Sequence, residues 1–143
     1  MTLAEITGAL GLDADPNAVG GADPAQCDQF RPARAPKGML VMVEDGRLTR
    51  ISLIRNADVT TDRGLKLGAS AKAVKAAYGA TAMTTGHKYH DAPAAYVTVW
   101  AKGGGVARVE PSARGIVYEI GTAGTVEMIH AGGPSIQYVE GCS

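Results

Sequence analysis

Thr2-Leu3-Ala4-Glu5-Ile6-Thr7-Gly8-Ala9-Leu10-Gly11 aligns without a gap on Ser70-Ala71-Lys72-Ala73-Val74-Lys75-Ala76-Ala77-Tyr78-Gly79. Each copy opens on a hydroxyl residue of the kind that caps a helix and closes on a glycine of the kind that ends one. A second pair follows: Met39-Leu40-Val41-Met42-Val43-Glu44-Asp45-Gly46-Arg47-Leu48-Thr49-Arg50-Ile51 resembles Val117 through Ile129, with Gly46 falling on Gly124. The helical copies stand 68 positions apart and the two glycines 78, so the second copy holds ten extra residues between helix and hairpin. The repeat predicts an α+β fold of two tandem helix-plus-antiparallel-hairpin units, 1–55 and 65–143, in a single compact domain. Together they are expected to form one curved sheet with the helices on one face.

Outward from the repeat, Asp45-Gly46 is a hairpin turn sequence between Met39–Glu44 and Arg47–Ile54. In the return strand Leu48 and Arg50 alternate, but Ile51 and Leu53 fall on the other parity. A β-bulge near Thr49-Arg50 reconciles them, and Val126, Met128 and Ile129 show the same shift. Leu12 to Pro36 reads as loop, with Asp-Pro at 15–16 and 23–24, Gly20-Gly21, Pro32 and Pro36. Asn56 to Gly68 reads as a polar connector. Tyr96-Val97-Thr98-Val99-Trp100 alternates, and either its aromatic face or its valine face meets the helix layer. Gly103 to Arg114 is expected to be a mobile loop. Ile136 to Glu140 is expected to be a last short strand delivering Cys142.

Composition narrows the function classes. The 143 residues carry 14 basic and 14 acidic side chains, for a formal net charge of zero. A general nucleic-acid or anionic-membrane binder needs a positive excess to release counterions or meet lipid charge, so neither partner is expected. No apolar run approaches the ~20 residues of a membrane span. The only two cysteines are Cys27 and Cys142. Paired, they close a loop of 115 positions, worth on the order of 4–5 kcal/mol by chain entropy, and tie down a terminus. That pairing implies an oxidising compartment, periplasmic or secreted, where a leader would have been removed; the alternative is two unrelated reduced thiols in a cytosolic protein.

The stretch Gly64-Leu65-Lys66-Leu67-Gly68-Ala69-Ser70-Ala71-Lys72-Ala73-Val74-Lys75-Ala76-Ala77-Tyr78-Gly79, followed by strands with a Gly-turn-Val-x-x-Ile return, carries a resemblance. It is similar to the small SmpA/BamE-type envelope lipoproteins and the β-lactamase-inhibitor-protein-like fold, through Gly68, Ser70, Val74 and Gly79. The resemblance implies tandem units in one curved sheet, helices on one face and the other face free to bind proteins. The chain departs from it in having one short helix per unit, no lipobox cysteine at the start, and only 5% aromatic residues.

Chemistry-bearing motifs are few. Gly86-His87-Lys88-Tyr89-His90-Asp91 could ligate zinc through His87, His90 and Asp91 with distant His130. In extended backbone, however, residues three apart face opposite ways, so no metal is expected there. No Gly-x-Ser-x-Gly occurs, and Gly103-Gly104-Gly105 lacks the Lys-Ser/Thr tail of a phosphate loop, so no cofactor and no catalytic residue is assigned. Tyr89, His87, His90, Tyr96 and Trp100 are the candidate binding residues, since Tyr and Trp dominate interface hot spots. The reading is an exported, non-enzymatic protein-binding module of the cell envelope. The alternative is an inhibitor of a secreted or periplasmic enzyme, plugging it with Lys88–Asp91 or Gly103–Arg114. The sequence identifies neither the partner nor an oligomeric state.

Overall fold

The computed structural model describes residues 1–18, 20–105 and 108–142. Its first helix, α1 (Leu3–Leu10), starts in a capping box: Thr2 Oγ1 accepts from the Glu5 N–H while Glu5 receives the Thr2 N–H. The second, α2 (Ala71–Tyr78), is built almost entirely of strong helix formers and capped by Ser70. Glycines with positive φ, Gly11 and Gly79, end the two helices. Seven strands follow the chain as β1 (Cys27–Phe30), β2 (Met39–Glu44), β3 (Arg47–Leu53), β4 (Met83–Gly86), β5 (Ala95–Gly104), β6 (Val109–Ile120) and β7 (Val126–Gly132). They form one antiparallel sheet in the order β1-β2-β3-β7-β6-β5-β4. The fold class is α+β. Two meanders, β1-β2-β3 and β4-β5-β6-β7, join edge to edge through their last strands.

The two meanders, of three and four strands, share local details. Gly46 and Gly124 both take left-handed backbone, φ 77° and 76°, at the β2–β3 and β6–β7 turns. The Leu3 N–H donates to the Gly46 carbonyl at 2.9 Å, and the Ala71 N–H donates to the Gly124 carbonyl at 3.1 Å. In return the Leu48 N–H donates to Met1 and the Val126 N–H to Ala69, both at 2.8 Å. Each helix start is thereby sewn to the return strand of a hairpin. The predicted bulge is present: Met42 pairs with Arg50 and Val43 with Leu48, leaving Thr49 as the extra residue. Glu127 is the extra residue of β7, because Glu119 pairs with Met128 and Ile120 with Val126.

Register divides the sheet into two faces. One carries Val97, Val99, Ile116, Tyr118, Ile120, Ile129, Leu53, Val41 and Val43. Its main core cluster includes Val74 of α2 with Val97, Tyr118, Ile120, Ile129 and Leu53. Ile6 of α1 belongs to a second cluster with Phe30, Val41 and Val43. Full burial of a valine or isoleucine stabilises by about 1.5–3 kcal/mol, which is how an eight-residue helix persists here. Tyr118 is fully buried, with its hydroxyl 2.6 Å from that of Tyr78 and a second bond to Thr61, and burial pushes its phenol well above the usual tyrosine range. Of the two faces of β5, the valines meet the core.

Three expectations are corrected, and one strand is new. Leu12–Pro36 is not all loop, because Cys27–Phe30 adds to β2 as an edge strand. At the other edge Met83–Gly86 forms a strand that Thr84-Thr85-Gly86 did not advertise. Most of Gly103–Arg114 is strand rather than mobile loop. There β5 and β6 continue as a ribbon, pairing Lys102 with Arg114 and Gly104 with Val109 through two register shifts, so backbone groups there have partners. Val106 and Ala107, at the centre of that stretch, lie outside the described residues. Finally, Ile136–Glu140 is not a strand. Pro134 starts a 3-10 turn, Pro134–Gln137, and Arg50 Nη1 donates to the carbonyls of Tyr138 at 2.8 Å and Ser135 at 3.4 Å. The guanidinium supplies what a neighbouring strand would otherwise give.

Candidate functional site

The other face of the sheet carries Tyr96, Thr98 and Trp100 of β5, Gly115, Val117 and Glu119 of β6, His130 of β7, and Arg50 and Ser52 of β3. The end of the chain is laid across it. After β7 the 3-10 turn packs on β3, β6 and β7, and the strap runs on to Cys142, which is disulfide-bonded to Cys27 on β1. Three further ties hold the strap: Arg50 to its carbonyls, the Ser135 hydroxyl to Glu44, and Glu140 to both Lys88 Nζ (3.0 Å) and the Tyr89 hydroxyl.

Between strap and sheet lies a cavity of about 530 Å³. Its floor is Tyr96, Thr98, Trp100, Val117, Glu119 and His130; Met83 to Thr85 form one wall and Ile136 to Val139 the other. The size is that of a ligand or side-chain pocket. Trp100 lies flat because its neighbours are glycines. A Cβ on Gly104 would sit 2.1 Å from indole Cδ2, and one on Gly115 would sit 2.6 Å from Cε3. Any side chain at either position would tip the ring out of the floor.

The polar groups form a chain through the sheet. His87 Nδ1 accepts from the Tyr89 N–H at 3.1 Å, which puts the ring proton on Nε2, and Nε2 donates to Glu119 Oε1 at 2.9 Å. Glu119 Oε2 stands 3.9 Å from His130 Nε2, an electrostatic contact too long for a hydrogen bond. On the far side His130 Nδ1 is 2.7 Å from Ser52 Oγ. The His130 imidazole, then that of His87, holds the Glu119 carboxyl below its ordinary range against the opposing effect of burial. Burial pushes the His130 imidazole down, with the Arg50 charge adding to this and Glu119 opposing it. Arg50 is lowered by its burial and held charged by Glu44 and Glu119.

Serine, imidazole and carboxylate in this order resemble a hydrolytic relay, but Ser52 is 2% exposed and does not line the cavity. Its hydroxyl has no route to a carbonyl substrate. The histidines of the 86–91 turn are closer than extended backbone allows: the His87 and His90 ring centroids are 5.0 Å apart, which corrects the expectation that they face opposite ways. Both nitrogens of His87 are nevertheless engaged, leaving no lone pair for a metal. Among the described residues, no group of three or more His, Cys, Asp and Glu side chains is arranged to hold an ion.

The sequence-predicted binding residues divide three ways. Tyr96 and Trp100 line the cavity. His87 lies behind Glu119, stacked on Tyr96 with centroids 4.8 Å apart. Tyr89 is exposed and bound to Glu140 on the strap, whereas His90 lines a separate groove with Asp91 and Lys75. Sequence reasoning missed Glu119, Arg50 and Ser52, and raised His130 only as a distant zinc ligand. The available signal was a polar or titratable residue interrupting an apolar strand, as Glu119 does in Gly115-Ile116-Val117-Tyr118-Glu119-Ile120. No protein-family model matches the chain, and neither the curated proteins nor the solved structures compared with it contain a significant match. Among the described residues no helix is long and apolar enough to cross a membrane.

Proposed function

We propose that this protein is a non-enzymatic binding module of an oxidising compartment, periplasmic or secreted, which captures another protein in the strapped cavity. The carrying observation is the cavity itself: an aromatic floor flattened by glycines, the Glu119 carboxylate in its lining, and a wall anchored by the Cys27–Cys142 bond. A disulfide closing 115 positions persists where thiols are oxidised, which supports the compartment. Tyr and Trp in a concave desolvated patch are what interface hot spots are made of.

The architecture under this function is read as two tandem units with both helices on the face opposite the cavity. Three parallels support it: the matched sewing of each helix start to a hairpin glycine, the matched bulges at Thr49 and Glu127, and the burial of Ile6 and Val74 against residues of one register face. The same layout is what the SmpA/BamE-type and inhibitor-like resemblance implies. The inhibitor alternative is less well supported, because a plug must project, whereas Lys88 and Tyr89 are bound to Glu140.

Affinity capture from an envelope extract tests the reading, comparing the wild type with Thr98→Trp, which fills the cavity floor. The expected result is a protein retained by the wild type and lost by the filled variant, with both equally folded by circular dichroism. Equal capture by the two, or none by either, contradicts it.

A further inference from the structure

We propose that the cavity takes a protonated amine or guanidinium on an apolar stem, a lysine or arginine side chain of the partner, with Glu119 as its counter-ion. The inference rests on the cavity being the partner site and names what enters it. Among the described residues Glu119 is the only carboxylate lining the cavity, and no Lys or Arg lines it. The one buried charge next to it, Arg50, faces two half-buried carboxylates, Glu44 and Glu119, so the local surplus is negative. An anionic ligand meets like charge here; a cation meets its complement.

The hydrogen-bond inventory points the same way. Glu119 Oε1 is occupied by His87, but among the described residues no hydrogen bond reaches Oε2. The Ser52–His130 contact allows either ring tautomer, and a bound cation selects the one with the proton on Nδ1, donated to Ser52 Oγ, in which Nε2 turns from donor toward Glu119 to acceptor. Oε2 and Nε2, 3.9 Å apart, then form a pair of acceptors that one ammonium or guanidinium N–H group reaches at ordinary hydrogen-bond distance from both. Outward from this point run Tyr96, Trp100 and Tyr138, flat apolar surface for an alkyl stem and π-faces that favour a cation. A charged, desolvated hydrogen bond of this kind discriminates strongly against a neutral isostere.

Trp100 is the only tryptophan of the chain, so its emission reports occupancy of the cavity. The test is a titration of the oxidised protein with n-hexylammonium chloride and with n-hexanol, which match in length and differ in charge. The expected result is a saturable change in Trp100 emission, with the cation at least about ten-fold tighter than the alcohol, as one charge-assisted hydrogen bond implies. Glu119→Gln should erase that preference. Thr98→Lys, which places an ammonium in the cavity from within, should abolish the response to hexylammonium and remains informative if the first variant folds poorly. Equal binding of alcohol and amine overturns the cation while leaving the partner site standing. No response to either probe overturns the cation as well, and the partner site is then judged by the affinity capture alone.

Discussion

Glu119 and His130 make the site sensitive to acid, and linkage gives the sign. The His130 imidazole is pushed below its ordinary value of 6.5, so as the pH falls through 6.5 the unfolded chain binds a proton that the folded chain resists. Glu119 lies below its ordinary 4.5, so its contribution is present above 4.5 and is lost as the pH falls through the folded value. The groups facing this pair are His87, Arg50 and, beyond Arg50, Glu44. Both shifts act in one direction: acid destabilises, in two steps. Melting temperature measured against pH should be flat above about pH 7 and fall below about 6.5, and His130→Gln should remove the first fall and, because His130 is the largest cause of the Glu119 shift, diminish the second. A profile that rises on acidification contradicts this. At Gly115 the prediction is steric. Gly115→Ala puts a Cβ 2.6 Å from the indole and 2.7 Å from the Val99 carbonyl, so urea unfolding should show a loss of roughly 1–3 kcal/mol with a red-shifted Trp100 emission.

At the scale of elements, the two helix starts are held by the same three devices: a hydroxyl cap, a bond to a hairpin glycine and a bond back from the return strand. Thr2→Ala and Ser70→Ala should therefore each cost about 1 kcal/mol in denaturant unfolding, by loss of one capping bond. Costs differing several-fold would separate the two units. These elements were legible because their cues are local. Thr2 and Ser70 announce caps, Asp45-Gly46 a turn, and the parity slip after Leu48 a bulge at Thr49, all within a few residues. The edge strands were not legible. Cys27-Asp28-Gln29-Phe30 and Met83-Thr84-Thr85-Gly86 have little strand propensity and exist because β2 and β5 offer them hydrogen bonds. Ile136–Glu140 failed for the same kind of reason: the carbonyls of Tyr138 and of Ser135 just before the segment are claimed by Arg50, 88 and 85 positions away in sequence.

For the whole molecule, the decisive object is the strap, and half of it was legible. The Cys27–Cys142 pairing followed from there being only two cysteines, one beside the terminus. That the tethered segment would cross the sheet face bearing Tyr96 and Trp100 was not, because this depends on which face of β5 meets the core. Val97 and Val99 do, Val97 against Val74 in one cluster, and the aromatic face is left to form the cavity floor. Glu119 and His130 came together only through the β6–β7 register. Removing the disulfide by Cys27→Ala with Cys142→Ala should cost on the order of 4–5 kcal/mol in guanidinium unfolding, the chain entropy of a 115-residue loop. A change under about 1 kcal/mol would show that the strap is held by Arg50, Ser135 and Glu140 without it.

The claim from which the functional account follows is that a partner enters the cavity between strap and sheet. Site-specific photo-crosslinking addresses it most directly, with a benzophenone amino acid placed at position 100 on the cavity floor, at 138 on the strap wall, and at exposed Leu12 as a control. Irradiation in an envelope extract should give one adduct of common mass from positions 100 and 138 and none from position 12. Adducts from position 12 alone, or no adduct from 100 and 138 in protein shown to be folded and oxidised, would contradict the account.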